Sequence, residues 1–173
     1  MSFAVCVIVS ILLFAADQLS KLWVINSLKP IDSIKIIDGF LSFTYVENTG
    51  AAFGIFQGQK WLLVAIVLIV LCVAFWALYT NKVYGTLERI CVTLIIAGGL
   101  GNLCDRIRYG FVVDFIDINE LFSYPMFNVA DCFVVVGAIL MVIAVLFEEK
   151  LKGNKLNSVS EQGTEYADSD NSN

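Results

Sequence analysis

Asp114 lies between Val113 and Phe115, and Asp131 sits in the otherwise apolar run FNVADCFVVV. Two carboxylates held close together cannot both ionise cheaply, so one pKa rises and the other falls. The ionised member can take a proton from water, and that water can attack a scissile carbonyl. The protonated member can polarise the carbonyl and later protonate the leaving amine. The acid and base roles belong to the pair rather than to either residue. The chemistry such a pair offers is hydrolysis of a peptide bond, here at a membrane surface.

The sequence contains no histidine. That excludes Ser-His-Asp and Cys-His catalysis and removes the commonest zinc ligand. The five cysteines are scattered through or beside apolar runs without a CxxC spacing, so they read as small packing residues and not as a metal or redox site. Three other carboxylates compete with the pair. Asp105, next to Arg106, reads as a local ion pair or cap, while Asp117 and Glu120 read as solvated. The residues alone leave two rivals open: polar groups that join helices, and an ion pathway through the membrane.

These groups are positioned by apolar elements. Of the 173 residues, 58% are hydrophobic, above the usual share for a soluble domain. The excess falls in four runs long enough to cross a bilayer, at about 3–25, 61–79, 87–106 and 127–147. The expected architecture is an all-α integral membrane domain over residues 1–150, with a disordered tail over 151–173. Between the first two runs, residues 31–57 should form a small β-structure. There Ile34–Ile37 and Phe40–Val46 flank an Asp38-Gly39 turn, and the second arm is apolar enough to lie on the bilayer interface. Trp61, Trp76 and Tyr79 mark the ends of the second run as interfacial aromatics do. Gly98, Gly99 and Gly101 allow close helix packing in the third, and Pro125 marks the start of the fourth. The net charge of −5 owes much to the tail, and no basic cluster suggests nucleic acid.

Four crossings put the end of the first run, the start of the second, the end of the third and the start of the fourth on one side. Asp17, Lys21, Asn48, Asn102, Asp105, Arg106, Asp114, Asn128 and Asp131 all fall there. Asp17 and Lys21 are one helical turn apart, which suits either a buried ion pair or a part in the site. Asp131, four residues into its run, should lie about 6 Å along the axis, just below the interface. Lysines and arginines are nearly balanced between the two sides, so charge does not set the orientation.

Five motifs occur in order: Asp17-Gln18 with Lys21; Asn48-Thr49-Gly50-Ala51-Ala52-Phe53; Gly98-Gly99-Leu100-Gly101-Asn102 with Asp105-Arg106; Val113-Asp114-Phe115; and Phe127-Asn128-Val129-Ala130-Asp131. With four spans, this pattern resembles the prolipoprotein signal peptidases, or signal peptidase II, the lipoprotein-processing aspartic peptidases of bacteria. The likeness covers nearly the whole chain except the tail, with no departure at the key positions. It implies four transmembrane helices with a β-sheet cradle on the outer surface of the cytoplasmic membrane, and both termini in the cytoplasm. It implies a diacylglyceryl prolipoprotein substrate, cut just before the lipidated cysteine, and inhibition by globomycin-type cyclic peptides. Asp114 and Asp131 match the family's catalytic aspartates. Asn48, Gly99, Asn102, Arg106 and Asn128 match residues that bind substrate or line the site, and Asp17 and Lys21 match a supporting position. No cofactor or metal is implied. Intramembrane aspartyl proteases of the presenilin type carry a Gly-x-Gly-Asp motif, which this chain lacks.

Overall fold

A computed structural model of the chain describes residues 1–51, 54–118 and 124–147. Four helices are long and apolar enough to cross a membrane, as the hydrophobic runs require. They are α1 (Phe3–Trp23), α2 (Lys60–Tyr79), α3 (Thr86–Tyr109) and α4 (Val129–Phe147). Three strands, β1 (Ser33–Ile37), β2 (Leu41–Asn48) and β3 (Val112–Asp117), form one antiparallel sheet in the order β1-β2-β3. Ala52, Phe53, Glu120 and the tail lie outside the described residues.

Helix α3 is the hub. Its most apolar window is 56% buried, against 17–22% for the other three spans. A buried apolar cluster of Cys6, Val64, Leu71, Leu78, Val92, Ile96 and Leu103 joins it to α1 and α2. The outer faces of α1, α2 and α4 carry exposed Ile, Leu and Val, as lipid-facing surfaces do. The close approach that small residues permit is used at two positions. A Cβ on Gly98 would run into the Ala130 carbonyl, and one on Gly101 into Asp17 Oδ2. Gly99 faces the other way, where a Cβ would meet Leu71 of α2 at 3.1 Å.

Polar groups tie the same helices together. Lys21 Nζ lies 3.1 Å from Asp17 and 2.9 Å from Asp105, all three buried. Asp105 is therefore not the local partner of Arg106 that its neighbour suggests: its carboxylate meets α1 and also accepts the Val113 amide at 3.2 Å, holding β3 to the end of α3. Asp17 and Lys21 form the buried ion pair, and Asp17 Oδ1 also accepts the Ala130 amide at 2.9 Å in the first turn of α4.

The connections differ from the sequence expectation in three places. α1 does not stop near residue 25: it continues as a π-helical turn, Val24–Leu28, with Lys29 N bonded to Val24 O at 3.0 Å. α3 runs on to Tyr109 and ends at Gly110, whose φ of 92° favours glycine at the turn into β3. The cradle is not confined to 31–57, because β3 pairs with β2 and places Val46 opposite Asp114. Asp114 is thus a strand residue. Val24 and Leu28 bury against Val113 and Phe115 under the sheet, and Phe43 meets both Trp23 and Phe115 edge-on.

Two outcomes test this account. Gly98→Ala and Gly101→Ala should each cost about 1–3 kcal/mol through overpacking against held atoms, and Gly99→Ala clearly less, because the tip of Leu71 can shift. Thermal midpoints in detergent would read the order, and equal losses at all three positions would refute it. Asp17→Asn should destabilise by roughly 3 kcal/mol, since it removes one partner of a buried ion pair. The check is the yield of folded protein.

Candidate functional site

The site is assembled where three elements end together. Asp114 comes from β3, Asp131 from the first turn of α4, and Asn102 and Arg106 from the last turns of α3. The approach to α4 is stapled to β3: Ile116 and Phe127 form an isolated bridge, with Ile116 N donating to Phe127 O at 2.8 Å and Phe127 N to Ile116 O at 3.2 Å. This bridge immediately precedes Asn128, so it fixes the start of α4 relative to the strand that carries Asp114.

Residue types then set the local geometry. Asn128 caps α4. Its Oδ1 accepts the Asp131 amide at 3.0 Å, and Asp131 Oδ2 accepts the Asn128 amide at 3.1 Å. This is a reciprocal capping box in which Asp131 is the third helical residue. Helix α4 starts two residues later than the hydrophobic run suggests. Asp131 therefore lies in the first turn and not a full turn further in, and the helix start is marked by Asn128 rather than Pro125.

Every carboxylate oxygen of the pair accepts an N–H. Asp114 Oδ1 takes Asn128 Nδ2 at 2.6 Å, and Asp114 Oδ2 takes Asn48 Nδ2 at 2.8 Å. Asp131 Oδ1 takes Asn102 Nδ2 at 2.7 Å. Asn128 Nδ2 also donates to Asn102 Oδ1 at 3.2 Å, so two asparagines bridge the two aspartates. Lys21, which can only donate, bonds Asn102 Oδ1 at 2.9 Å. That leaves the Asn102 amide nitrogen facing Asp131. Lys21 thus acts on the pair from outside the cavity.

A cavity of about 220 Å³ has Asp114, Asp131, Asn48, Asn102 and Arg106 in its wall. Arg106 reaches across to the loop after β2, donating to the Gly50 carbonyl at 2.8 Å, and Gly50 N donates to Asn48 Oδ1 at 2.9 Å. The loop and the asparagine that touches Asp114 are thereby anchored to α3. Burial pushes the Asp114 carboxyl up to about 7, and the nearby Asp131 charge adds to the rise. Hydrogen bonds from Asn48 and Asn128 and the charge of Lys21 pull the other way. Asp114 therefore keeps its proton to higher pH than an ordinary aspartate, as suits a pair that shares one proton.

Asn48, Asn102, Arg106, Asn128, Asp114 and Asp131 are brought together, with Asp17 and Lys21 directly behind them. Gly99 is not among them: it packs on Leu71 and Val67 of α2, away from the cavity. Asp105 was passed over, although it sits four residues beyond Gly101, on the α3 face that meets Asp17. That spacing was the available signal. Tyr124 and Met126 also line the cavity with no sign of it in the sequence, as does Phe127, which opens the last of the five motifs. Among the described residues no His, Cys, Asp and Glu group could hold a metal ion.

The comparisons identify the family and a related fold. The family model described as Signal peptidase (SPase) II matches residues 9–147. A lipoprotein signal peptidase of Clostridioides difficile (strain 630) is 46% identical over 143 residues, covering 83% of this chain and 95% of that protein. One from Streptococcus agalactiae serotype Ia is 44% identical over 149 residues, covering 85% and 94%. A solved bacterial membrane enzyme, determined by the in meso method at 2.3 Å resolution, has a TM-score of 0.80 at 33% identity, covering 86% of this chain and 92% of its own. With helices suited to four crossings and matches that span almost the whole described chain, this multi-pass membrane protein belongs to the signal peptidase II family.

Proposed function

We propose that this protein is a membrane aspartic endopeptidase that removes the signal peptide from diacylglyceryl-modified bacterial prolipoproteins, cutting just before the lipidated cysteine. The reading places it in the cytoplasmic membrane, with both termini in the cytoplasm and the site on the outer face. The observation that carries it is the pair of amide-held carboxylates on one cavity, Asp114 buried and Asp131 partly so, in a chain of this family.

In this reading a water lies between Asp114 and Asp131. The ionised carboxylate accepts a proton from it as the oxygen attacks the carbonyl of the residue before the cysteine. The protonated carboxyl donates a hydrogen bond to the carbonyl oxygen, stabilising the charge that develops there, and a proton then passes to the leaving amine. Asn48, Asn102 and Asn128 hold both carboxylates in place without adding a charge that would fix their ionisation. Arg106 supplies positive charge at the cavity wall. The carboxylates carry both proton transfers, so the reaction calls for no metal or cofactor. Substrate and enzyme share one bilayer, which raises their effective concentration. A globomycin-type cyclic peptide would act by occupying the same cavity.

Asp114→Asn and Asp131→Asn should each lower cleavage of a diacylglyceryl precursor by at least about 10²–10⁴-fold, while the protein still inserts in the membrane. Mass spectrometry of the released signal peptide reads this, and turnover retained in either variant removes the assignment.

The pH profile supplies a second test. A carboxyl that titrates near 7 instead of 3.8 keeps its proton to neutrality and loses it above. The kcat/KM profile should therefore have an alkaline limb near pH 7. Asn48→Ala removes a hydrogen bond to the ionised form, so the limb of its residual activity should move to higher pH. A limb that stays in place, or moves down, contradicts the assignment.

A further inference from the structure

The cavity that holds the aspartates does not end at Asp114. A second hollow of about 310 Å³ shares Asn48, Ala51, Asp114, Pro125 and Met126 with it, so the two form one passage with Asp114 at the joint. Their far walls differ in chemistry. The first continues onto Val134 and Val135 of α4, in a membrane span. The second continues onto Val46, Thr49, Gly54 and Gln57, and both Thr49 and Gln57 are exposed polar residues beyond the span. Val46 and Asn48 alternate onto one face of β2, and Val46 pairs with Asp114, so this trench runs along the sheet from the reacting carboxylate.

The rim of the trench is held in shape. Gly58 N donates to the Thr49 carbonyl at 3.3 Å, Ala51 N to the Ile55 carbonyl at 2.8 Å, and Arg106 fixes Gly50 from α3. The loop that carries Gln57 is thus closed on itself and tied to the helix behind the site.

A passage from bilayer to water through a hydrolytic site suits a polypeptide that is membrane-embedded on one side of the cut bond and soluble on the other. We propose that the trench beside Thr49 and Gln57 is the subsite for the first residues of the mature lipoprotein, those that follow the lipidated cysteine. It rests on the signal peptidase reading and adds the direction in which the substrate lies. The chain before the cut occupies the α4 side of the cavity, and the chain after it runs out along β2. Thr49 and Gln57 bond the main chain of that outgoing segment, which has no fixed sequence, so amide and hydroxyl groups that accept and donate are suitable partners.

The test compares two synthetic diacylglyceryl-cysteine substrates with the same signal sequence. One ends at the cysteine as a carboxamide, and the other continues with a short run of polar residues. The full-length enzyme in detergent–lipid micelles should cut the extended substrate with the higher kcat/KM. Gln57→Ala should lower that value about fivefold, the worth of one ordinary hydrogen bond, and Gln57→Trp, which fills the trench, at least as much. Both changes should leave the ratio to the truncated substrate near one. Gln57 is exposed, so both variants should fold, and their thermal midpoints check this. If wild type cuts both substrates equally well, or if both variants lose activity on the two substrates alike, the subsite is wrong and the peptidase reading stands. If wild type cuts neither, the peptidase reading fails and takes the subsite with it.

Discussion

A buried carboxylate must be met by donors, and this requirement governs the protein's polar half. Asp17, Asp105 and Asp114 are almost wholly buried. Among the described residues no buried side-chain nitrogen or oxygen lacks a hydrogen-bond partner. Within an apolar bundle such satisfaction has to come from specific neighbours, because unpaired polar groups cost several kcal/mol each. The donors used are Lys21, Gln18, three asparagines, and backbone amides at the start of α4 and of β3. Apart from the contacts of Lys21 and Gln18 with Asp17 inside α1, each of these crosses from one element to another or locks a helix end, so the network that keeps the charges tolerable is also the one that sets the site.

The type of donor is as informative as its presence. Lys21 is spent on Asp17 and Asp105, which lie behind the cavity, while Asp114 is met by neutral amides. A cation in direct contact would hold Asp114 ionised. Amides orient the carboxylate yet leave burial dominant, which is why its proton is retained to about 7. The structure thus separates charge balance from the tuning of the pair by one layer of side chains, with Asn102 as the connection between them.

The spans were legible because their signal is simple: long apolar runs interrupted by a few charges. Counting crossings was enough to bring Asp17, Asn48, Asn102, Asp114, Asn128 and Asp131 to one side, and the structure brings them into contact. What failed was local. β3 was missed because Val112–Asp117 is short and pairs with a strand far away in the chain, so nothing nearby announces it. Asp105 was misread because its neighbour Arg106 suggests a partner, whereas Lys21 lies many residues earlier. Gly99 was grouped with Gly98 and Gly101, but successive helical residues point about 100° apart, and only the outer two meet the α4 and α1 side. The start of α4 was read from hydrophobicity, which cannot see that Asn128 and Asp131 cap one another.

The π turn at Val24–Leu28 has an evolutionary reading. A π turn holds one residue more than the α-helix it interrupts, and such turns recur at functional sites. Here the extra residue lies between the part of α1 that carries Asp17 and Lys21 and the segment that delivers Lys29 to Glu47 and Tyr45, at 2.9 and 3.1 Å. Both halves of that stretch bury apolar side chains, Val24 and Leu28, in the same cluster. Wound as regular α-helix, the same residues would rotate everything downstream about the helix axis. The polar anchor and the sheet would then be out of phase. The π turn itself should therefore persist even where its side chains drift.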